Sequence, residues 1–120
     1  MGTTPNALYR RGNATSARMD HVRAGIDIAM ANAGGTDWVL AHSGGVSCFD
    51  YNPPPGNGPI WHLPAGAPYP DELYLRDDRN GHWTWEPGMH MSLADFKARL
   101  AAVGRNFAKL PAVGGPKAYP

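Results

Sequence analysis

The chain has 120 residues, a length that suits one domain and leaves little room for a second. Fifteen glycines and twelve prolines fill about a fifth of it, roughly twice ordinary usage, which excludes a helical bundle; without a three-residue glycine period, collagen is excluded too. Hydrophobic residues make up 42 %, enough for a core, and eleven basic against ten acidic residues leave a net charge of +1. That excess supplies no strong field toward membranes or nonspecific nucleic acid, while leaving a specific nucleic-acid acceptor open.

Ala7-Leu8-Tyr9 reads as a short strand that delivers Arg10 and Arg11 to its end. Residues 12 to 25 are polar, and Ile26 to Ala33 fits neither a strand nor a helix period cleanly before Gly34-Gly35 ends it. Trp38 to Leu40 and Val46 to Phe49 are further strands, separated by Gly44-Gly45. A proline loop, 53 to 59, precedes the strand Ile60 to Leu63, and a second, 64 to 70, follows it. Leu73 to Leu75 leads through Asp77-Asp78-Arg79-Asn80-Gly81, which has hairpin-turn chemistry, into His82-Trp83-Thr84-Trp85-Glu86. Alternation there puts His82, Thr84 and Glu86 on one face and the two tryptophans on the other.

A helix over 92–103 follows from the cap spacing of Ser92 and Asp95 and from Leu93, Phe96, Leu100 and Val103 on one face, with Gly104 as its stop. Phe107 to Leu110 adds a last strand, and 111–120 reads as a loose tail. One late helix on short strands is an α+β plan: a single domain over 1–120 with its core at about 7–110.

Cys48 is the only cysteine, so no internal disulfide forms. No run of about 18 apolar residues exists to span a bilayer, and the N-terminus lacks a secretory signal. The expected home is cytoplasmic, of a producer cell or of a target reached through a specialised secretion machine. Five histidines without His-x-His or His-x-x-x-His spacing give no metal site. Gly44-Gly45-Val46-Ser47 lacks the Lys-Ser/Thr of a phosphate loop, and neither Ser43 nor Ser47 sits in Gly-x-Ser-x-Gly. Glu72 and Glu86 are the only glutamates. Glu86 lies between two readings, an edge-strand residue facing water or a carboxyl in an aromatic strand whose tryptophans lower the local dielectric.

Order and spacing carry more than any residue alone. Leu8-Tyr9-Arg10, then Gly44-Gly45-Val46-Ser47-Cys48-Phe49-Asp50, then His82-Trp83-Thr84-Trp85-Glu86-Pro87 and Met91 before the helix resemble the Tse-two toxins of type VI secretion. The resemblance spans residues 8 to about 108 and implies an ADP-ribosyltransferase-like split, twisted β-sandwich with an NAD cleft. It implies an NAD-dependent toxin that breaks the nicotinamide–ribose bond and modifies an intracellular macromolecule, with NAD glycohydrolysis or a silent binding module as alternatives. NAD would be a substrate, with no metal, and an immunity or antitoxin protein would cover the cleft. By position, Arg10 would pair with pyrophosphate or ribose, Ser47 would bond the nicotinamide ribose or position its neighbour, and His82 would bind a phosphate or ribose hydroxyl. Tyr9 and Trp83 would offer stacking surface, and Gly45 would let backbone approach the ligand. Two positions depart from the pattern: Val46 replaces a threonine, and Glu86 stands where the family has an apolar residue. Glu86 takes the ribose-steadying role of other ADP-ribosyltransferase glutamates if it faces the cleft, as alternation with His82 permits.

Overall fold

The computed structural model describes residues 2–54, 56 and 58–111. Its strands are β1 (Gly2–Thr3), β2 (Leu8–Arg11), β3 (Met30–Ala33), β4 (Thr36–Val39), β5 (Val46–Phe49) and β6 (Ile60–Leu63). They continue with β7 (Pro68–Tyr69), β8 (Leu73–Arg79), β9 (His82–Pro87), β10 (Met91–Ser92), the helix α1 (Leu93–Gly104) and β11 (Ala108–Lys109). Six strands form one sheet in the order β11-β6-β2-β5-β9-β8; β10-β4-β3 and β1-β7 form two smaller ones. Among the described residues the architecture is α+β, mostly sheet with one helix.

Sidedness of the large sheet follows from the period of two. Leu8, Leu63, Val46, Cys48, Leu73, Leu75, Trp83 and Trp85 share one face, with Val46 opposite Trp85 and Cys48 opposite Trp83. These residues join Phe96, Leu100 and Val103 of α1, together with Met19, Ile28, Val39 and Met91, in one hydrophobic core. Trp85 and Phe96 are its largest fully buried side chains, and each contributes about 2 kcal/mol or more through the apolar area it removes from water. Cys48 is buried there, receives a bond from Trp85 Nε1 at 3.3 Å, and has its thiol pushed up to about 11 by burial. The thiol is packing material.

Helix α1 begins as its cap spacing requires, with Ser92 Oγ accepting from the Asp95 amide at 3.1 Å. Its end differs from expectation. Gly104 is the last helical residue, and the cap is Arg105 in right-handed conformation (φ −66°). Gly104 serves packing instead: a Cβ there would lie 3.2 Å from Met19 Cβ. The ambiguous 26–33 segment resolves into a turn followed by β3, which pairs with β4. The second proline loop holds a strand that local sequence conceals: β7 pairs with β1. Thr4 secures it, donating to Pro64 O at 2.9 Å and accepting from the Ala67 amide at 3.0 Å. Strand β8 runs on to Arg79, with an irregularity between Asp77 and Arg79, so the reversal tightens onto Arg79 (φ +73°), Asn80 (φ +56°) and Gly81 (φ +81°). Asn and Gly tolerate this left-handed geometry. Of the expected tail, residues 112–120 lie outside the described residues.

Gly44 and Gly45 admit the protein's own backbone. A Cβ on Gly45 would stand 1.8 Å from the Trp85 carbonyl oxygen, and one on Gly44 (φ +127°) would stand 2.1 Å from that of Asp27. Neither obstacle is a side chain that can rotate away. Gly45→Ala is therefore expected to destabilise the fold by about 3 kcal/mol through overpacking, measured as a lowered urea midpoint; an unchanged midpoint would contradict this packing.

Candidate active site

The second face of the large sheet is polar and aromatic. Ser47 on β5 is the register partner of Thr84 on β9, Arg76 on β8 is the other partner of Thr84, and Tyr74 is that of Glu86. Directly paired residues of antiparallel strands project to the same side. Tyr9, Phe49, Ser47, His82, Thr84, Glu86, Tyr74 and Arg76 thus share this face.

Glu86 is its centre. The side chain is 1 % exposed, and its two oxygens have different surroundings. Oε1 faces Nδ1 of His42 at 3.3 Å. Oε2 lies 3.6 Å from Arg76 Nη2 and has no hydrogen-bond partner. Burying a carboxylate is costly unless opposite charge and donors surround it, and here one guanidinium and one imidazole stand over it. His42 itself holds φ +55°, a conformation that costs a non-glycine residue about 1 kcal/mol or more. Its amide donates to Pro87 O at 2.9 Å, and its ring meets Tyr74 edge-on at 5.0 Å. The bond to β9 and the contact with β8 keep that strained residue over Glu86.

Asp78 organises the neighbouring half. Its Oδ1 lies 2.8 Å from Arg76 Nε, and its Oδ2 accepts from His82 Nδ1 at 2.9 Å and from the Thr84 hydroxyl. Burial alone would raise this carboxyl; the Thr84 bond, the Arg76 charge and His82 together hold it below its ordinary 3.8. Arg76 thereby bridges Asp78 and Glu86, and one network runs from His42 to His82. Among the described residues, no three His, Cys, Asp or Glu side chains are grouped to hold a metal ion.

The structure gathers Ser47, His82, Glu86 and Tyr9 on this face and puts Arg10 and Trp83 elsewhere. Trp83 is on the core side, 9 % exposed, and donates from Nε1 to Asp50 Oδ2 at 3.0 Å. Arg10 projects to the core side as well. Its Nε donates to Ala17 O at 2.7 Å, Nη1 to Ser47 O at 2.7 Å and Nη2 to Arg18 O at 3.0 Å. Burial, the largest influence, lowers its pKa. The guanidinium thus ties the 12–22 segment to β2 and to the strand carrying Ser47. Gly45 contributes its missing Cβ, as described above. Sequence reasoning passed over His42, Arg76 and Asp78. Asp78 read as a turn residue, and no spacing in the chain signals that His42 meets Glu86 across 44 positions.

Comparison with known proteins adds one match. The family model described as Tse2 ADP-ribosyltransferase toxin matches residues 9–110. No curated protein matches, and no solved structure matches.

Two expectations follow from these geometries. Arg10→Ala leaves three carbonyls without their donor and should lower stability by about 2–3 kcal/mol, read from denaturant unfolding; a wild-type midpoint would show the clamp to be idle. Asp78, lowered in the folded state, contributes stability that is present above the unfolded value near 3.8 and is lost as pH falls through the folded value. Asp78→Asn should therefore unfold more readily at neutral pH and flatten the decline of stability below pH ~4. An unaltered acid limb would refute the network's role.

Proposed function

Because the chain belongs to the Tse2 ADP-ribosyltransferase toxin family, we propose that it is an NAD-dependent transferase. It breaks the nicotinamide–ribose bond and passes ADP-ribose to an intracellular macromolecule. The observation that carries this reading is the buried Oε2 of Glu86, which has no hydrogen-bond partner, on the same strand face as Thr84, the register partner of the exposed Ser47. A ribose hydroxyl is a donor of the kind that oxygen lacks. Bond cleavage develops positive charge on the ribose, and a fixed carboxylate stabilises it most where water is excluded.

In this reading Glu86 is the catalytic carboxylate, oriented by His42 and Arg76. Ser47 holds a ribose or phosphate oxygen, and His82 acts through Asp78 on the Arg76 that orients Glu86. Arg10 acts as a positioning residue through the Ser47 carbonyl, and Gly45 keeps β5 close to β9. Trp83 supports the site from the core side. The split β-sandwich of the fold is supported by the separate six- and three-stranded sheets, joined by the 40–45 segment that delivers His42. The chain acts as one domain with its core at 7–110. A toxin with this activity must be kept silent in the cell that makes it, so an immunity protein covering the polar face belongs to the proposal. So does action in the cytoplasm of a target cell reached by a specialised secretion system.

The test is incubation of the purified protein with NAD, with and without cell lysate, following nicotinamide, ADP-ribose and labelled macromolecules. Nicotinamide release with a labelled acceptor is expected, and Glu86→Gln should reduce release by ~100-fold or more with an unchanged circular-dichroism spectrum. Free ADP-ribose without labelled acceptor would identify a hydrolase. No release under either condition would reject both enzymatic readings.

A further inference from the structure

One register level of the large sheet carries a line of four rings. His62 on β6 pairs with Tyr9 on β2, Tyr9 with Phe49 on β5, and Phe49 with His82 on β9. Arg79 on β8 closes the line as the partner of His82. All four rings are partly exposed. Tyr9 and His62 lie 5.0 Å apart, centroid to centroid, and Phe49 and His82 5.5 Å. Neighbouring strands are about 4.8 Å apart, so the rings form a platform on the same side as Glu86.

We propose that this platform binds an unpaired stretch of nucleic acid, which serves as the macromolecular acceptor. The observations favour that partner over a protein or lipid surface. Rings on adjacent strands of an open sheet face match successive unstacked bases. The two imidazoles and the tyrosine hydroxyl add hydrogen-bonding edges, which an aliphatic docking patch does not. An exposed guanidinium, that of Arg79, ends the line, while Arg11, two residues on from Tyr9 on the same face, is held by the Pro54 carbonyl. The nearest carboxylates are already engaged, Asp78 with Arg76, His82 and Thr84, and Asp50 with Trp83. Stacking supplies affinity without a large net charge, consistent with a chain at +1.

The naming of the acceptor rests on the transferase reading; the binding itself does not. Glu86 lies four residues along β9 from His82, about 13 Å at strand rise. The line of rings crosses the strands, so a chain seated on it passes the buried carboxylate to one side, at the His82 end of the line. In the transfer step an acceptor O–H or N–H forms a bond to the ribose carbon as its bond to nicotinamide breaks. Nicotinamide leaves neutral with the bonding pair, and the acceptor's proton passes through the Glu86 carboxylate to water.

The experiment measures fluorescence anisotropy of a labelled mixed-sequence single-stranded RNA, and separately DNA, of about 12 nucleotides, with the full chain and no NAD. Binding that weakens with salt is expected, with the annealed duplexes bound at least tenfold more weakly because their bases stay stacked. Phe49→Ala and His62→Ala should each weaken binding by about tenfold, with thermal unfolding run alongside to identify loss of fold. His62 is partly exposed, so its variant keeps the test valid if Phe49→Ala unfolds. No binding at low salt, equal binding of duplex, or wild-type affinity in the folded variants would overturn the proposal. Displacement of the oligonucleotide by saturating NAD would overturn it too, by assigning the rings to the adenine of the dinucleotide. Nicotinamide release by the same preparation reports separately on the transferase reading.

Discussion

The polar face depends on how closely β5 lies against β9. The Trp85 carbonyl occupies the space a Gly45 side chain would take, so the two strands meet just where β5 begins. That contact sets the register, with Val46 opposite Trp85, Ser47 opposite Thr84 and Phe49 opposite His82. A slip by one residue would send Ser47 into the core and Cys48 to the polar side. Burial of Val46 and Cys48 opposes that slip, because it would expose both. Packing on one side of the sheet thus fixes the chemistry presented on the other.

Charge on the polar face is balanced by position rather than by number. Glu86 and Asp78 are both removed from water to different degrees, and Arg76 stands between them. The arrangement keeps two carboxylates near one guanidinium while leaving one oxygen of Glu86 without a hydrogen bond. A buried acceptor left in that condition is costly; at functional sites such costs are carried by the surrounding structure. The strained His42 is a second local cost, carried by the hydrogen bond its N–H donates to the Pro87 carbonyl and by its contact with Tyr74. Arg10 performs a comparable service on the core side, donating to the Ala17 and Arg18 carbonyls of irregular chain and to that of Ser47 on β5.

Much of the fold was legible because its strong elements are local. The Ser92 cap, the stripe of Phe96, Leu100 and Val103, the Asn80-Gly81 reversal and the alternation of β9 each rest on residues within a turn or two of one another. Strands β1 and β7 were not legible, because Gly2–Thr3 and Pro68–Tyr69 are strands only by virtue of each other. Gly104 misled for a related reason: a glycine at a helix end ordinarily signals a left-handed stop, yet here it makes room for Met19. Arg10 stood in a family motif, and nothing nearby indicated that carbonyls from residues 17, 18 and 47 would surround it.

The abundance of glycine and proline determined by itself that the chain would be short strands joined by stiff loops, and the order of its motifs determined the family. Periodicity determined which β9 side chains share a face, since a strand has only two. What those side chains meet was decided by tertiary structure alone. Whether Glu86 faces water or a buried network depends on His42 and Arg76, contributed by a separate loop and a neighbouring strand. Their approach depends on strand order, which no local pattern encodes. The same holds for the ring platform: His62, Tyr9, Phe49 and His82 are far apart along the chain and become neighbours only when four strands align in register.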